Sequence, residues 1–144
     1  MVSKKIYVLL FLCFIASSCR IGPEAINYGF DTCHFCTMTI VDQQHAAQIV
    51  TSKGKVFKFD AIECMVNHIK EIDTTSVSLF LVNDYDQPGN LIDAKSGYYL
   101  ISTGISSPMG ANLTAFSTLE GSKKALEEQG GEQYSWESLL THFN

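Results

Sequence analysis

The chain has 144 residues, room for one domain or for two small half-domains sharing a core. Its 46% hydrophobic and 17% charged content is that of an ordinary folded protein, neither a disordered tail nor a long coiled coil. The formal net charge of -5 becomes -7 when residues 1–18 are set aside, since they hold Lys4 and Lys5 and no acid; such a surface repels phosphate backbones and speaks against nucleic-acid binding.

The chain opens on a positive region (Lys4, Lys5) and an apolar run from Ile6 to Ile15, followed by the small residues Ala16-Ser17-Ser18 before Cys19. That run is about half the roughly 20 residues a membrane-spanning helix needs, so it reads as a secretory signal. Small residues directly before a cysteine form a lipobox-like pattern, with Ala16 where leucine is more usual. The expectation is a signal peptide over 1–18, lipidation of Cys19, a lipidated tether over 19–32 and a folded domain over 33–144. The working protein would then be held in the cell envelope by its N-terminal lipid, facing the periplasm.

Along the mature chain, Gly22, Pro23 and Gly29 lie in the aperiodic stretch read as a tether. Residues 33–41 read as extended, 46–51 as a strand, Lys53-Gly54 as a tight turn and 55–59 as a second strand. Asp60 followed by Glu63 predicts an N-cap and a helix of about ten residues, with Ile62, Met65, Val66 and Ile69 as its core stripe and Cys64 and His68 on another face. A strand at 76–83, a turn through 84–90 and extended runs at 91–94 and 97–101 come next. A Gly- and Ser-rich loop over 102–111 carries Pro108-Met109-Gly110. Extended 113–116, helical 119–129 ending at Gly130-Gly131, and a tail with Trp136, Leu139 and Leu140 at helical spacing complete the chain. Strand, strand, helix thus occurs twice, which predicts an α+β fold with small antiparallel sheets.

Five cysteines become three when Cys13 is removed and Cys19 is lipidated, and an odd number of thiols in an oxidising compartment calls for a metal, a redox pair, or one disulfide plus a core cysteine. Cys33-His34-Phe35-Cys36-Thr37-Met38 carries the chemistry. In an extended segment Cys36 and Met38 would point to the same side. A thiolate and a thioether favour copper(I) over harder ions. Met109, on a loop between proline and glycine, is a further thioether candidate, and His34 a weaker one. The competing metal reading is structural zinc held by Cys33, Cys36, Cys64 and His68. A thiol-disulfide redox role for Cys33 and Cys36 is the third, disfavoured by the β-branched Thr37, Thr39, Ile40 and Val41, which argue against the helix start that lowers a thiol pKa. Nothing in the sequence matches a hydrolase elbow, a phosphate loop or a paired-carboxylate site, so no enzyme is expected.

The lipobox-like Cys19, the block from Cys33 to Ile40, Leu91-Ile92-Asp93-Ala94 with Ser96 and Tyr98-Tyr99, and Pro108-Met109-Gly110-Ala111 followed by Ala115-Phe116 resemble, in order, the nitrous oxide reductase accessory lipoprotein NosL family. The resemblance implies a periplasmic copper(I) chaperone serving the copper centres of nitrous oxide reductase or its maturation transporter machinery, and a fold of two similar ββα-type halves. By position it implies Cys36 and Met38 as ligands with Met109 as a third. The family usually has glycine where this chain has Thr37, so the geometry at Met38 is expected to differ.

Overall fold

A computed structural model describes residues 21–144, so the signal and the Cys19 expectation lie outside the described residues. Among the described residues seven strands and three α-helices follow one another: β1 Ala47–Thr51, β2 Val56–Phe59, α1 Ile62–Ile69, β3 Val77–Asp84, β4 Gln87–Asp93, β5 Tyr98–Ile101, β6 Leu113–Phe116, α2 Leu119–Gln129, β7 Glu132–Tyr134 and α3 Trp136–His142. All strand pairings are antiparallel, in two sheets of order β2-β1-β3-β4 and β6-β5-β7. The expected doubling is therefore visible as topology. Each half runs strand, strand, helix, strand, and in each the first strand sits between the second and the third. The first half adds β4 at its edge and the second adds α3.

The β1–β2 turn works because Gly54 takes a positive φ of 81°, which costs a glycine little. Register then places Ala47 opposite both Phe59 and Val82, so β1 is paired on both sides and almost wholly buried. Two backbone hydrogen bonds anchor the sheets, one from Asn83 N to Ala46 O (2.8 Å) and one from Tyr85 N to Ala115 O (2.9 Å) that ties the end of β3 to the second sheet. One core cluster unites both halves: Ile49, Phe59 and Val82 from the first sheet, Tyr99 and Leu113 from the second, Ile62, Met65 and Val66 from α1, and Trp136 and Leu139 from α3. Helix α2 packs on a smaller satellite through Ala125 against Leu100, Ile105 and Phe116.

Several boundaries depart from the pattern reading. Strand β4 begins at Gln87, inside the stretch read as a turn; its Pro88 is accommodated because β4 is the sheet edge and needs no donor on the outer side. Strand β7 is three residues of mostly polar chain, too short and too exposed to show alternation. Helix α1 has eight residues and its N-cap is Ala61, with no side-chain cap bond, in place of the expected Asp60. Its Glu63, Cys64 and His68 are buried along with the apolar stripe, while Ile69 is only partly so.

The stretch read as a tether is held down from Glu24 onward. The Gln48 side chain donates to Glu24 O (2.9 Å) and accepts from Glu24 N (3.0 Å). Lys58 Nζ donates to Ala25 O and to the Asp31 carboxylate, both at 2.7 Å. The segment therefore runs along the β2 side of the first sheet and delivers the following cysteines to it. No helix among the described residues is long and apolar enough to cross a membrane.

Candidate metal centre

Residues 33–41 are not the extended run that their β-branched content predicts. Thr32 and Thr39 form an isolated antiparallel bridge, Cys33 N donates to Met38 O (2.8 Å), and Thr37 N donates back to Cys33 O (3.0 Å). Together they close a turn over 34–36, which His34 N fastens to Lys58 O of β2 (2.8 Å). Closing it requires Thr37 at φ 65°, the left-handed region. A β-branched residue is rarely held there; the strain, about 1–3 kcal/mol, is characteristic of functional segments. The same-side argument for Cys36 and Met38 therefore fails on backbone grounds. Cys36 packs inward against the core, while Met38 is 54% exposed on the way out of the turn.

Beneath the turn, topology completes a cluster. Strand β2 ends at Phe59, Asp60 follows, and Cys64 sits in the first turn of α1. One atom from each of Cys33, Cys36, Asp60 and Cys64 lies within 4.8 Å of every other. Cys33 and Cys64 are each 1% exposed and Asp60 2%, so only the partly buried Cys36 opens toward solvent. All three thiols are free. Asp60, diverted from helix capping, accepts a hydrogen bond from the Cys36 thiol (3.3 Å).

The cluster is electrostatically uneven. A hydrogen bond from Cys64 lowers the Cys33 thiol to about 6, in spite of burial. Cys64 correspondingly holds its proton, raised first by its bond to Cys33 and then by desolvation. Desolvation is also the main cause that pushes Cys36 up to about 11, with Cys33 and Asp60 adding to it. The metal-free cluster thus favours negative charge on Cys33 and keeps protons on Cys36 and Cys64. An incoming cation meets one ready sulfur ligand and must displace protons to gain the others.

The remaining candidates are not among the four cluster residues. His34 and His68 meet edge to face, ring centroids 5.0 Å apart, on a wall made by Phe57 and Phe59. His68 Nε2 is buried without a hydrogen-bond partner, and burial, with His34 nearby, lowers its pKa and keeps it neutral at physiological pH. The close four-atom cluster contains Asp60 and not the His68 of the zinc set. Met109 sits 43% exposed on the turn Ser107–Gly110. Asp60 is the residue the sequence reading missed, because an aspartate before a helix reads as a cap. Its one sequence signal was its place four residues ahead of Cys64, a spacing that a strand-to-helix junction can close.

Fold and cluster together define the class: a small two-sheet α+β domain with a soft-ligand cluster at a strand-to-helix junction, covered by a strained turn. The NosL family model matches residues 27–142, and the chain belongs to the NosL family. It is similar to the copper-binding lipoprotein NosL of Stutzerimonas stutzeri, 29% identical over 117 residues. That match covers 76% of this chain and only 62% of the relative's length. The fold is that of the crystal structure of the copper chaperone NosL from Shewanella denitrificans, with a TM-score of 0.71 at 20% identity, covering 82% of this chain and 95% of that one.

Proposed function

We propose that this protein is a copper(I) metallochaperone of the cell envelope, anchored through a lipid on Cys19, facing the periplasm, and delivering copper for the centres of nitrous oxide reductase, directly or through the maturation transporter machinery. The observation that carries the copper reading is the three-thiol cluster with a single opening at Cys36, beneath a turn that ends in the exposed Met38. Thiolate and thioether sulfur select copper(I), which accepts two or three ligands and leaves room for a partner's ligand. The names of the similar proteins support the same cargo.

In this reading Cys36 is the primary ligand. Cys33 and Cys64 lie behind it, and Met38, Met109 and His34 are the outer groups that can complete or release the coordination. In the metal-free protein Asp60 accepts the hydrogen bond of the Cys36 thiol and holds that sulfur in place, and copper displaces the proton when it binds. Transfer proceeds by ligand exchange on the open side: a docked partner adds a sulfur or imidazole, and Cys36 is the last to let go. No bond is made or broken in an organic substrate, so the protein is a carrier and not an enzyme.

Replacing Cys36 by serine should abolish stoichiometric copper(I) binding in competition with a chromogenic chelator. Undiminished affinity in that variant would exclude the assignment. One observation favours a second reading. The hard oxygen of Asp60 closes the cluster, and three cysteines with a carboxylate also suit structural zinc. Zinc that stays bound until the protein unfolds would mark that alternative, and a Cys33–Cys36 disulfide in the native envelope would mark a redox role.

A further inference from the structure

Glu63 is an acid in an unusual place. It is 3% exposed on α1, next to Cys64, and forms no salt bridge among the described residues. Its Oε1 accepts a hydrogen bond from the Ser107 hydroxyl and another from Ala111 N (3.3 Å). The Ser107 hydroxyl in turn accepts from Asn112 N (2.9 Å), and Gly110 N closes the turn onto Ser107 O (3.0 Å). Ser107 and Ala111 stand two residues either side of Met109, so one carboxylate oxygen grips both feet of the loop whose tip is that thioether. Left-handed Gly110 and Asn112, at φ 79° and 57°, give the loop its sharp return. The other oxygen, Oε2, is buried without a partner. Burying a carboxylate is expensive, and leaving one oxygen unpaired more so. A cap-like role at the start of α1 would not need burial.

We infer that Glu63 is a positioning residue that fixes the Met109 loop to the helix carrying Cys64, so that the Met109 thioether is presented to copper as the outer ligand. The inference rests on the copper(I) reading above and adds the residue that supports the Met109 thioether. Because Glu63 and Cys64 are consecutive on one helix, a shift of the cysteine cluster and a shift of the loop are mechanically linked. Support groups of this kind typically change metal affinity by about 10–100-fold when removed.

The test is a double-mutant cycle on the whole lipid-free protein, reading copper(I) affinity by chelator competition under anaerobic conditions. Glu63→Ala and Met109→Leu should each weaken binding by about tenfold or more, and Glu63→Ala in the Met109→Leu background should add less than about twofold. Glu63→Gln, whose amide oxygen can still accept from both feet, should keep most of the affinity. If Glu63→Ala destabilises the fold, Ser107→Ala, which removes one foot only, takes its place in the cycle. Copper K-edge absorption should lose one sulfur scatterer in Glu63→Ala and in Met109→Leu alike. Multiplying effects, or an unchanged sulfur count in Glu63→Ala, would overturn the inference. Met109→Leu without effect would overturn it too, yet leave the chaperone reading intact so long as Cys36→Ser still loses copper.

Discussion

The two halves share one topology and use it differently. In the second half, Thr118 caps α2 by accepting from Gly121 N, and the helix shows solvent most of its surface, burying only Ser122 and Ala125. In the first half, the residue in the cap position of the sequence pattern, Asp60, faces Cys36 instead, and α1 starts at Ala61 without a side-chain cap. Helix α1 is buried on nearly all sides, polar residues included. The difference shows what one topology can serve. The second half keeps the local devices that stabilise a helix, while the first gives up a cap of about 1 kcal/mol and buries polar side chains against the cysteine cluster and the Met109 loop.

The contrast can be broken most forcefully in the core. Met65→Ala in α1 should cost about 2–5 kcal/mol, since the side chain is fully buried in the cluster that joins both sheets. Lys123→Ala on the open face of α2 should stay within about 0.5 kcal/mol; urea unfolding of the two variants reads the gap. Equal losses would mean that the halves are not divided into a packed and an open helix.

A pH series sharpens the same contrast, because among the described residues the shifted thiols all lie in the first half. Cys33, lowered from an ordinary value near 9 to about 6, contributes stability that is complete above about 9 and is lost as pH falls toward 6. Cys36 and Cys64, raised in the folded state, contribute stability that is lost as pH climbs past 9. Metal-free, reduced protein should therefore gain stability from pH 6 to about 9 and lose it beyond. Cys33→Ser should flatten the rise, and a rise that survives in that variant would assign it to other groups.

Smaller effects concern the caps and the strained turn. Thr118→Ala should cost about 1 kcal/mol, read by urea unfolding. Thr37→Gly should stabilise by about 0.5 kcal/mol, the left-handed penalty of about 1–2 kcal/mol being offset in part by the entropy glycine loses on folding. A loss of stability there would show that the threonine side chain makes contacts worth more than its strain.

Much of this was legible in the residues, and the omissions share a cause. Strands β1, β2, β3 and β6 and helix α2 announced themselves by alternation, apolar periodicity, a Lys-Gly turn and a terminal glycine. So did the doubled order of elements and the significance of an odd thiol count. The turn at 34–37 was hidden because Thr, Ile and Val favour extended chain locally, whereas hydrogen bonds to β2 and across the Thr32–Thr39 bridge decide the backbone. Asp60 and Glu63 were hidden for the opposite reason: a capping pattern explains them adequately, and only the tertiary fold shows that both are buried and spent on other partners. Strand β7 and the start of β4 carry too little apolar patterning to be seen before their neighbours in the sheets are known.

The central claim is that the thiol cluster holds copper(I) as exchangeable cargo. Elemental analysis of protein purified anaerobically from the cell envelope, before and after challenge with a copper(I) chelator, tests it most directly. Copper bound in the envelope and removed by the chelator without unfolding the protein is the predicted result. Zinc that resists removal until the fold is lost would contradict it.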